Sequence, residues 1–322
     1  MSFTSDIKEE LSKHISTARH CRIAELAAII SLCGRILISA SDKYCIKIQT
    51  ENLAVARKYF TLLKKTFNIN TGVLIRQNMS LENRRLYVIS IENHEDSLKV
   101  LQATKLLNDN NEIEENLSVT DNVIIWQPCC QRAFLRGAFM SSGAISDPEK
   151  GYHFEIACAT EPKAEQIQSI MKGFDIDARI IKRKKYFVVY IKEGAQIVDV
   201  LNIMEAHVAL MEFENIRILK EIRENVNRKF NCETANINKT VSAAVKQTAD
   251  IEYIRDTVGL ESLADGLEDI ARLRLERPEA TLMELGMSLN PPVGKSGVNH
   301  RLRKLSSIAD ALREERGEKN DN

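Results

Sequence analysis

The feature that most constrains the fold is an internal repeat in the first two thirds of the chain. The segment that begins YCIKIQTENL at Tyr44 is matched by one that begins YHFEIACATE at Tyr152, and LYVISI from Leu86 is matched by YFVVYI from Tyr186. In each copy apolar residues alternate in the strand-like segments and recur at helical spacing between them. A repeat of this length indicates two copies of one supersecondary unit, with the order αββαββα.

Each copy begins with a helix that carries a stripe of small residues and ends at a glycine. LAAIISLCG (26–34) aligns with LRGAFMSSG (135–143), and Gly137 lies in the stripe of the second copy. An interior glycine costs a helix about 1 kcal/mol relative to alanine, and the distance between two packed helices depends on the size of the side chains in contact. We therefore predict that the two helices pack side by side, with Gly34 and Gly143 together at their ends. An ordinary buried helix rich in Ala and Gly is the alternative.

Glycine-terminated helices that pair in this way resemble the LAGLIDADG homing-endonuclease fold, over about residues 1–205. The resemblance implies an α+β domain of two pseudo-symmetric αββαββα repeats, about 1–108 and 122–205. In that family the eighth motif position of each helix is an acid, and the two carboxylates hold divalent metal over the scissile phosphates. This chain has Cys33 and Ser142 at those positions.

The loss of both acids argues against a nuclease. Hard cations such as Mg²⁺ prefer charged oxygen ligands, and cleavage assisted by a metal requires the ion to be fixed at the site. Asp42 and Asp147 follow the two glycines but are expected in the hairpins, away from the helix junction. We predict no catalytic residues, no enzyme activity, no metal and no cofactor.

Two basic segments lie where the repeats are expected to form hairpins. The second repeat has KRKK, Lys182, Arg183, Lys184 and Lys185, and the first has Arg84 and Arg85 in the corresponding region. Basic hairpin tips suit contacts with phosphate, although a charge run is more often a solvated turn. Recruitment of another protein is the competing use of such a surface.

The chain becomes wholly helical from about residue 206. Residues 206–230 lack a helix breaker and are expected to form a helical linker, and residues 231–322 to form a separate domain in which Asn238 caps a helix. Thr281 and Glu284 have the spacing of a capping box, and Pro291 and Pro292 separate that helix from a last one, for which Ser296 is the expected cap. Three helices with a short turn before the last indicate a helix-turn-helix.

The last helix has the residue types that contact DNA. At 100° per residue its apolar residues share one side, and basic and polar residues occupy the other. Asn can pair with adenine, Arg with guanine, and Lys or Arg with phosphate. The N-terminal part of this helix contacts bases in such motifs. We therefore assign base contacts to Ser296, Asn299, His300 and Arg303, and phosphate contacts to Lys295, Arg301 and Lys304. A helical docking domain with a solvated basic face is the alternative.

The strings NCETAN (231–236) and KSGVNHRLRKL (295–305), after a LAGLIDADG-like half without acids, resemble the WhiA family of bacterial DNA-binding regulators. The resemblance spans essentially the whole chain. It implies a cytoplasmic, nucleoid-associated protein that binds double-stranded DNA and regulates transcription in sporulation, or affects cell division and chromosome segregation. Another transcription regulator is a further partner to test. The alternative is an interaction scaffold or a nucleoid-organising protein that uses a nuclease fold without its catalytic acids.

The composition is compatible with these expectations but does not select among them. The 45 basic and 45 acidic residues cancel, but 109–121 holds five acids and no Lys or Arg, and 293–305 holds four bases and no acid. Local basic patches suit phosphate contacts despite a neutral total. The seven cysteines are scattered, with no CxxC pair and no Cys/His group at zinc spacing, and indicate reduced thiols. No apolar run reaches the roughly 18 residues of a membrane span.

Overall fold

The chain forms two compact units, Met1–Glu221 and Ile222–Asn322. The computed structural model describes residues 2–39, 43–77, 85–107, 110 and 122–317. Asp42 and Arg84, both named from the sequence, lie outside the described residues.

The first unit contains the predicted pair of αββαββα repeats, preceded by one additional helix. The first repeat and the preceding helix comprise α1 (Phe3–Lys13), α2 (Arg19–Cys33), β1 (Gly34–Ile38), β2 (Tyr44–Thr50), α3 (Leu53–Phe67), β3 (Gly72–Gln77), β4 (Arg85–Ile91) and α4 (His94–Ala103). The second repeat follows a short 3-10 turn at Asn122–Ile125 and comprises α5 (Pro128–Ser142), β5 (Gly143–Ile145), β6 (Phe154–Cys158), α6 (Glu161–Lys172), β7 (Arg179–Arg183), β8 (Tyr186–Ile191) and α7 (Gly194–Ile203).

Each repeat folds into a four-stranded antiparallel sheet with the same topology. The strand orders are β1-β2-β4-β3 and β5-β6-β8-β7. Equivalent registers pair Ile48 with Ile89 in the first sheet and Ile156 with Val189 in the second. All four of these side chains are buried, because alternate residues of each strand face the helices. The opposite, open face carries exposed side chains among the described residues, such as Ile181 in the second sheet.

The helices α2 and α5 form the centre of the first unit, as the small-residue stripe predicted. A Cβ atom on Gly137 would lie 2.5 Å from the Glu25 carbonyl oxygen and 3.0 Å from the Cβ of Ala28. The backbone of α5 therefore lies directly against α2 at a distance that only glycine permits. Gly34 and Gly143 are the C-caps of the two helices, and the Cys33 thiol and Ser141 hydroxyl adjoin at these ends.

A 51-residue helix, α8 (His207–Thr257), follows the repeats and crosses the boundary between the two units. The carboxylate of Glu10 accepts hydrogen bonds from the first free amides of α8, at Val208 and Ala209. The prediction that Asn238 caps a new helix is wrong, because this residue lies in the interior of α8. No Gly or Pro interrupts the segment, and a cap contributes only about 1 kcal/mol, which does not compensate for breaking a continuous helix.

The rest of the second unit is a three-helix cluster that packs on the C-terminal part of α8. After a short 3-10 turn (Leu260–Ser262) come α9 (Leu267–Glu276), α10 (Leu282–Ser288) and α11 (Lys295–Glu315). The core includes Ile254 of α8, Ile270 of α9, Leu285 of α10, and Val298 and Leu302 of α11.

The predicted capping box of α10 is confirmed, because Thr281 and Glu284 exchange both of its hydrogen bonds. The predicted cap of α11 is wrong. Gly294 is the N-cap and Ser296 lies inside the first turn. The reason is local: the amide of Val293 donates to the carbonyl of Gly286 at 2.9 Å, so the chain is held against α10 immediately before the helix starts.

Candidate nucleic-acid interface

The turn between α10 and α11 is held by direct backbone contact. A Cβ atom on Gly286 would lie 2.1 Å from the carbonyl oxygen of Val293 and 3.1 Å from a methyl group of Val298. Only glycine at this position allows the turn to approach α10 so closely. The contact fixes the start of α11, and with it the direction in which the first turns of that helix face solvent.

The exposed face of α11 contains most of the predicted DNA-contacting residues. Lys295, Ser296, His300, Arg303 and Lys304 are exposed, and Asn299 and Arg301 are half-buried. The opposite side of the helix is completely buried at Val298 and Leu302. The structure therefore brings the seven predicted residues to the first three turns of one helix and leaves five of them open to a ligand.

The two half-buried members of the set also contact their own domain. The Arg301 guanidinium donates a hydrogen bond of 3.3 Å to the carbonyl of Gly266, just before α9. Asn299 and Lys295 line a cleft of ≈ 840 Å³ whose other walls include Ala244 in α8 and Ala280 before α10. Arg301 thus helps to orient α11 on α9, which sequence reasoning did not anticipate.

Buried charged side chains fix the positions of the helices that support this face. Arg274 of α9 is 2% exposed and donates to the carbonyls of Pro278 and Ala280, at 3.2 and 2.7 Å. These bonds fix the turn from α9 to α10. At the other end of α11, Arg313 forms an ion pair of 2.8 Å with the buried Asp250 of α8. Because a buried charge is costly without a partner, each contact favours a single arrangement of the helices.

The basic segment of the second repeat forms the hairpin that the sequence predicts. Lys182 and Arg183 end β7, and Lys184 and Lys185 form the turn to β8. All four side chains are exposed. Arg183 is paired with Glu155 at 3.1 Å, whereas Lys182 and Lys185 lie over the rings of Phe187 and Tyr186. Arg85, the corresponding residue of the first repeat, is exposed at the start of β4.

The C-terminal ends of α2 and α5 do not fit a divalent metal. The Cys33 thiol donates to the carbonyl of Ile29 at 3.2 Å, and burial raises its pKa to about 11. It is therefore a neutral thiol near pH 7. The Ser142 hydroxyl is buried without a hydrogen-bond partner among the described residues. Asp147 lies beyond β5, in the hairpin loop, as expected. Neither motif position supplies the charged oxygen that Mg²⁺ requires.

Two buried lysines lie near these helix ends. Lys163 donates to the carbonyl of Ser31 in the last turn of α2, at 2.7 Å. Lys8 lies close enough to Cys33 to interact with it electrostatically, and its amino group is 5.8 Å from the centroid of the Phe139 ring. Burial lowers the pKa of Lys8 to about 8 and also lowers that of Lys163. Amino groups here suit the negative ends of the helix dipoles and disfavour a bound cation.

Sequence reasoning missed two groups that the pairing of α2 with α5 brings together. One is the buried ion pair of Glu25 with Arg136. The other is a cluster of His20, Cys21, Cys129 and Cys130, whose ligand atoms all lie within 4.8 Å of one another. No spacing rule could find either group, because each repeat supplies only half of it. The alignment of the first helices of the two repeats was the only signal in the sequence that could have placed these residues side by side.

Comparison with known proteins identifies the family. Three family models match: "WhiA N-terminal LAGLIDADG-like domain" at 19–107, "WhiA LAGLIDADG-like domain" at 131–223 and "WhiA C-terminal HTH domain" at 226–309. Among the helices described in the structure, none combines the length and apolar character needed to cross a membrane.

Relatives match along nearly the whole chain. A protein of Lachnoclostridium phytofermentans, named "Probable cell division protein WhiA", is 55% identical over 98% of this chain and 100% of its own length. A protein of the same name from Alkaliphilus oremlandii is 46% identical over 98% of both chains. The crystal structure of full-length DUF199/WhiA from Thermotoga maritima has 26% sequence identity, covers 97% of this chain and 99% of its own, and superposes with a TM-score of 0.58. The chain belongs to the WhiA family, with two LAGLIDADG-like repeats followed by a helix-turn-helix domain.

Proposed function

We propose that the chain is a sequence-specific DNA-binding protein that reads the major groove with α11. The observation that carries this proposal is the exposed row of Lys295, Ser296, His300, Arg303 and Lys304 on a helix whose other side is buried. Ser296, Asn299, His300 and Arg303 are assigned to base edges, and Lys295, Arg301 and Lys304 to phosphates. The N-cap of α11 is Gly294, which has no side chain to cap the first amides of the helix, so these amides are available to a phosphate.

The LAGLIDADG-like unit is proposed to add phosphate contacts without cleaving DNA. Lys182, Lys184, Lys185 and Arg85 are exposed at the β7–β8 hairpin and at the start of β4, while Cys33 and Ser142 stand at the positions that hold metal in nucleases of this fold. Incubation of supercoiled plasmid with the protein and Mg²⁺ or Mn²⁺ is expected to give no nicked or linear product. Metal-dependent nicking would contradict this part of the proposal.

The biological role that we propose follows from the family. The relatives carry the name of a cell division protein, and the helix-turn-helix supports control of transcription, in sporulation or in cell division and chromosome segregation. The protein is then cytoplasmic and associated with the nucleoid. A second transcription regulator is a partner that pull-down on the target promoter would test.

The deciding experiment is binding of the full chain to a library of genomic fragments, followed by fluorescence anisotropy on the enriched site. Arg303→Ala is expected to weaken the enriched site and relax the preference at one base pair. Arg316→Ala is the matched control, because Arg316 is exposed at the far end of the same helix, roughly 20 Å away at 1.5 Å per residue. Failure to enrich any fragment would contradict the proposal.

An interaction scaffold or a nucleoid-organising protein is the alternative. It is favoured by the apolar side chains exposed on strands of the two sheets, such as Leu37, Leu74 and Ile181, which are 48%, 51% and 47% exposed. A scaffold would bind no duplex at moderate salt. A nucleoid-organising protein would bind every fragment with equal affinity, and Arg303→Ala would then leave the sequence preference unchanged.

A further inference from the structure

Three cysteines and one histidine meet at the N-terminal ends of α2 and α5. His20 and Cys21 lie in the first turn of α2, and Cys129 and Cys130 lie in the first turn of α5. Nδ1 of His20 is 3.1 Å from Sγ of Cys130, 3.4 Å from Sγ of Cys21 and 4.0 Å from Sγ of Cys129. All four ligand atoms lie within 4.8 Å of one another.

We propose that this cluster is a structural zinc site of the Cys3His type. In tetrahedral zinc sites the Zn–S distance is about 2.3 Å and the Zn–N distance about 2.0 to 2.1 Å, which places a ligand nitrogen about 3.6 Å from each sulfur. The three distances from the His20 Nδ1 atom to the sulfurs lie on both sides of this value. The side chains thus lie close to the separations that a zinc ion imposes, with no ligand atom more than 4.8 Å from another.

The chemistry of the donors selects the ion. Thiolate and imidazole are the ligands that zinc prefers in structural sites, and a four-ligand set leaves no open position for a substrate. Hard cations such as Mg²⁺ and Ca²⁺ require oxygen donors instead. A disulfide explains less of the arrangement, because it joins two sulfurs and gives no role to a histidine that contacts all three.

The cluster lies where the N-terminal ends of two helices meet, and it is open to solvent on one side. The N-caps, Ala18 and Gln127, make no side-chain capping hydrogen bond within the part of the chain that the structure describes, so no capping side chain occupies these helix ends. Cys21 and Cys130 are buried, whereas Cys129 and His20 are exposed, which gives the ion a path from solvent.

The site would clamp the two repeats together. Its four ligands come in pairs from equivalent first turns, one pair from each repeat. The glycine junction lies at the other end of the same two helices, which have 15 residues each and are therefore roughly 22 Å long. A zinc ion here fixes the spacing of α2 and α5 at the end remote from Cys33 and Ser142. It has no part in contacts with DNA, so the inference is independent of the proposed function.

The test uses the full chain, reduced, stripped with chelator and then titrated with Co²⁺ as a spectroscopic probe and with Zn²⁺. We expect one Co²⁺ per chain, with thiolate-to-cobalt charge-transfer bands and the d–d bands of a tetrahedral site, and displacement of Co²⁺ by one equivalent of Zn²⁺. Zinc is expected to raise the melting temperature of the stripped protein.

Two variants make the result specific. Cys129→Ser changes the exposed cysteine ligand and is expected to fold, as judged by circular dichroism, but to lose stoichiometric Co²⁺ binding and stabilisation by zinc. Cys232→Ser is the matched control, because Cys232 is also exposed but lies in α8, and it is expected to behave as the parent. Absence of tetrahedral Co²⁺ bands in the reduced parent, or unchanged binding in Cys129→Ser, would overturn the proposal.

Discussion

The guanidinium of Arg136 lies 3.1 Å from the carboxylate of Glu25, and both side chains are almost completely buried between α5 and α2. The same carboxylate oxygen accepts from Lys58 of α3 at 2.9 Å, and Arg136 also reaches Glu205 at 2.6 Å. Charges in such a place are costly unless they are paired. The two repeats are therefore joined by an ionic contact as well as by close packing.

Removal of Arg136 is expected to destabilise the first unit strongly. In Arg136→Met the Glu25 carboxylate keeps only Lys58 as an ionic partner, and breaking a buried pair costs about 3 to 5 kcal/mol. Urea denaturation measures the loss. Arg132→Met, at an exposed position of the same helix, is the control and should cost less than about 1 kcal/mol. Methionine keeps most of the volume of the arginine side chain. Equal losses of stability in the two variants would therefore show that Arg136 contributes by filling space and not by its charge.

Substitution of Gly137 tests the close approach of the helix pair. The Cβ of alanine at this position would lie 2.5 Å from the Glu25 carbonyl oxygen, so Gly137→Ala must move the backbone, and Gly137→Leu more so. We expect a loss of roughly 1 to 3 kcal/mol from overpacking, seen as a lower melting temperature. Gly151→Ala is the control, since no described heavy atom lies within 4 Å of the added carbon. An unchanged melting temperature in Gly137→Leu would count against the packed pair.

The free energy of unfolding is expected to depend on pH in the alkaline range because of Lys8. Its pKa is about 8 in the folded chain and 10.5 without burial, so between these values the unfolded chain binds more protons and stability rises with pH. Below pH 8 both states are protonated, and the cost of burying the charge is fully present. We expect Lys8→Met to be more stable than the parent at pH 7 and to lose about 2 to 3 kcal/mol of this advantage by pH 10, at 1.36 kcal/mol per pKa unit.

The control for this experiment is Lys13→Met in the same helix, where the Lys13 side chain is 70% exposed. Its stability relative to the parent should be the same at both pH values. Comparison of each variant with the parent at the same pH cancels the titration of all other groups. A constant difference between Lys8→Met and the parent from pH 7 to 10 would contradict the prediction.

Gly286 tests whether the turn positions the reading helix. In Gly286→Ala the new carbon would lie 2.1 Å from the carbonyl oxygen of Val293, so the turn and the start of α11 must shift. We expect loss of about 1 to 3 kcal/mol in the second unit and weaker binding of the enriched DNA site. Gly294→Ala, with no described atom within 4 Å of the added carbon, should change both much less. If Gly286→Ala bound DNA as the parent does, the turn would not control the placement of α11.

The elements of this fold could be predicted because they depend on local patterns. The repeat, the αββαββα order and the capping box of α10 all follow from residues close together in sequence. The helix caps predicted at Asn238 and Ser296 were wrong because cap preferences are weak. The continuous helix α8 overrides the cap at Asn238, and the contact between Gly286 and Val293 moves the start of α11 away from Ser296. The pair of Glu25 with Arg136 and the cluster at His20 could not be predicted, since the parts that the two repeats supply are more than a hundred residues apart.

The last prediction separates the two DNA-contacting surfaces that we propose. If Lys182 and Lys185 contact phosphates, the double variant Lys182→Ala with Lys185→Ala should flatten the plot of log affinity against log salt by about 1.8, at roughly 0.9 per contact. The ratio of affinities for the enriched site and a scrambled site should stay the same, because phosphate contacts carry no direct sequence information. Lys304→Ala, within α11, should likewise weaken all sequences about equally.

The control for the double variant is Lys64→Ala with Lys65→Ala, which removes the same charge from exposed positions in the last turn of α3. Helix α3 packs on the first sheet through residues such as Leu62 and Leu63, so these lysines belong to the first repeat and lie outside the β7–β8 hairpin. Their loss should alter the slope far less. Identical slopes for the two double variants would mean that the hairpin makes no specific contact with phosphate. The LAGLIDADG-like unit would then be assigned to recruitment of a partner, leaving α11 alone to bind DNA.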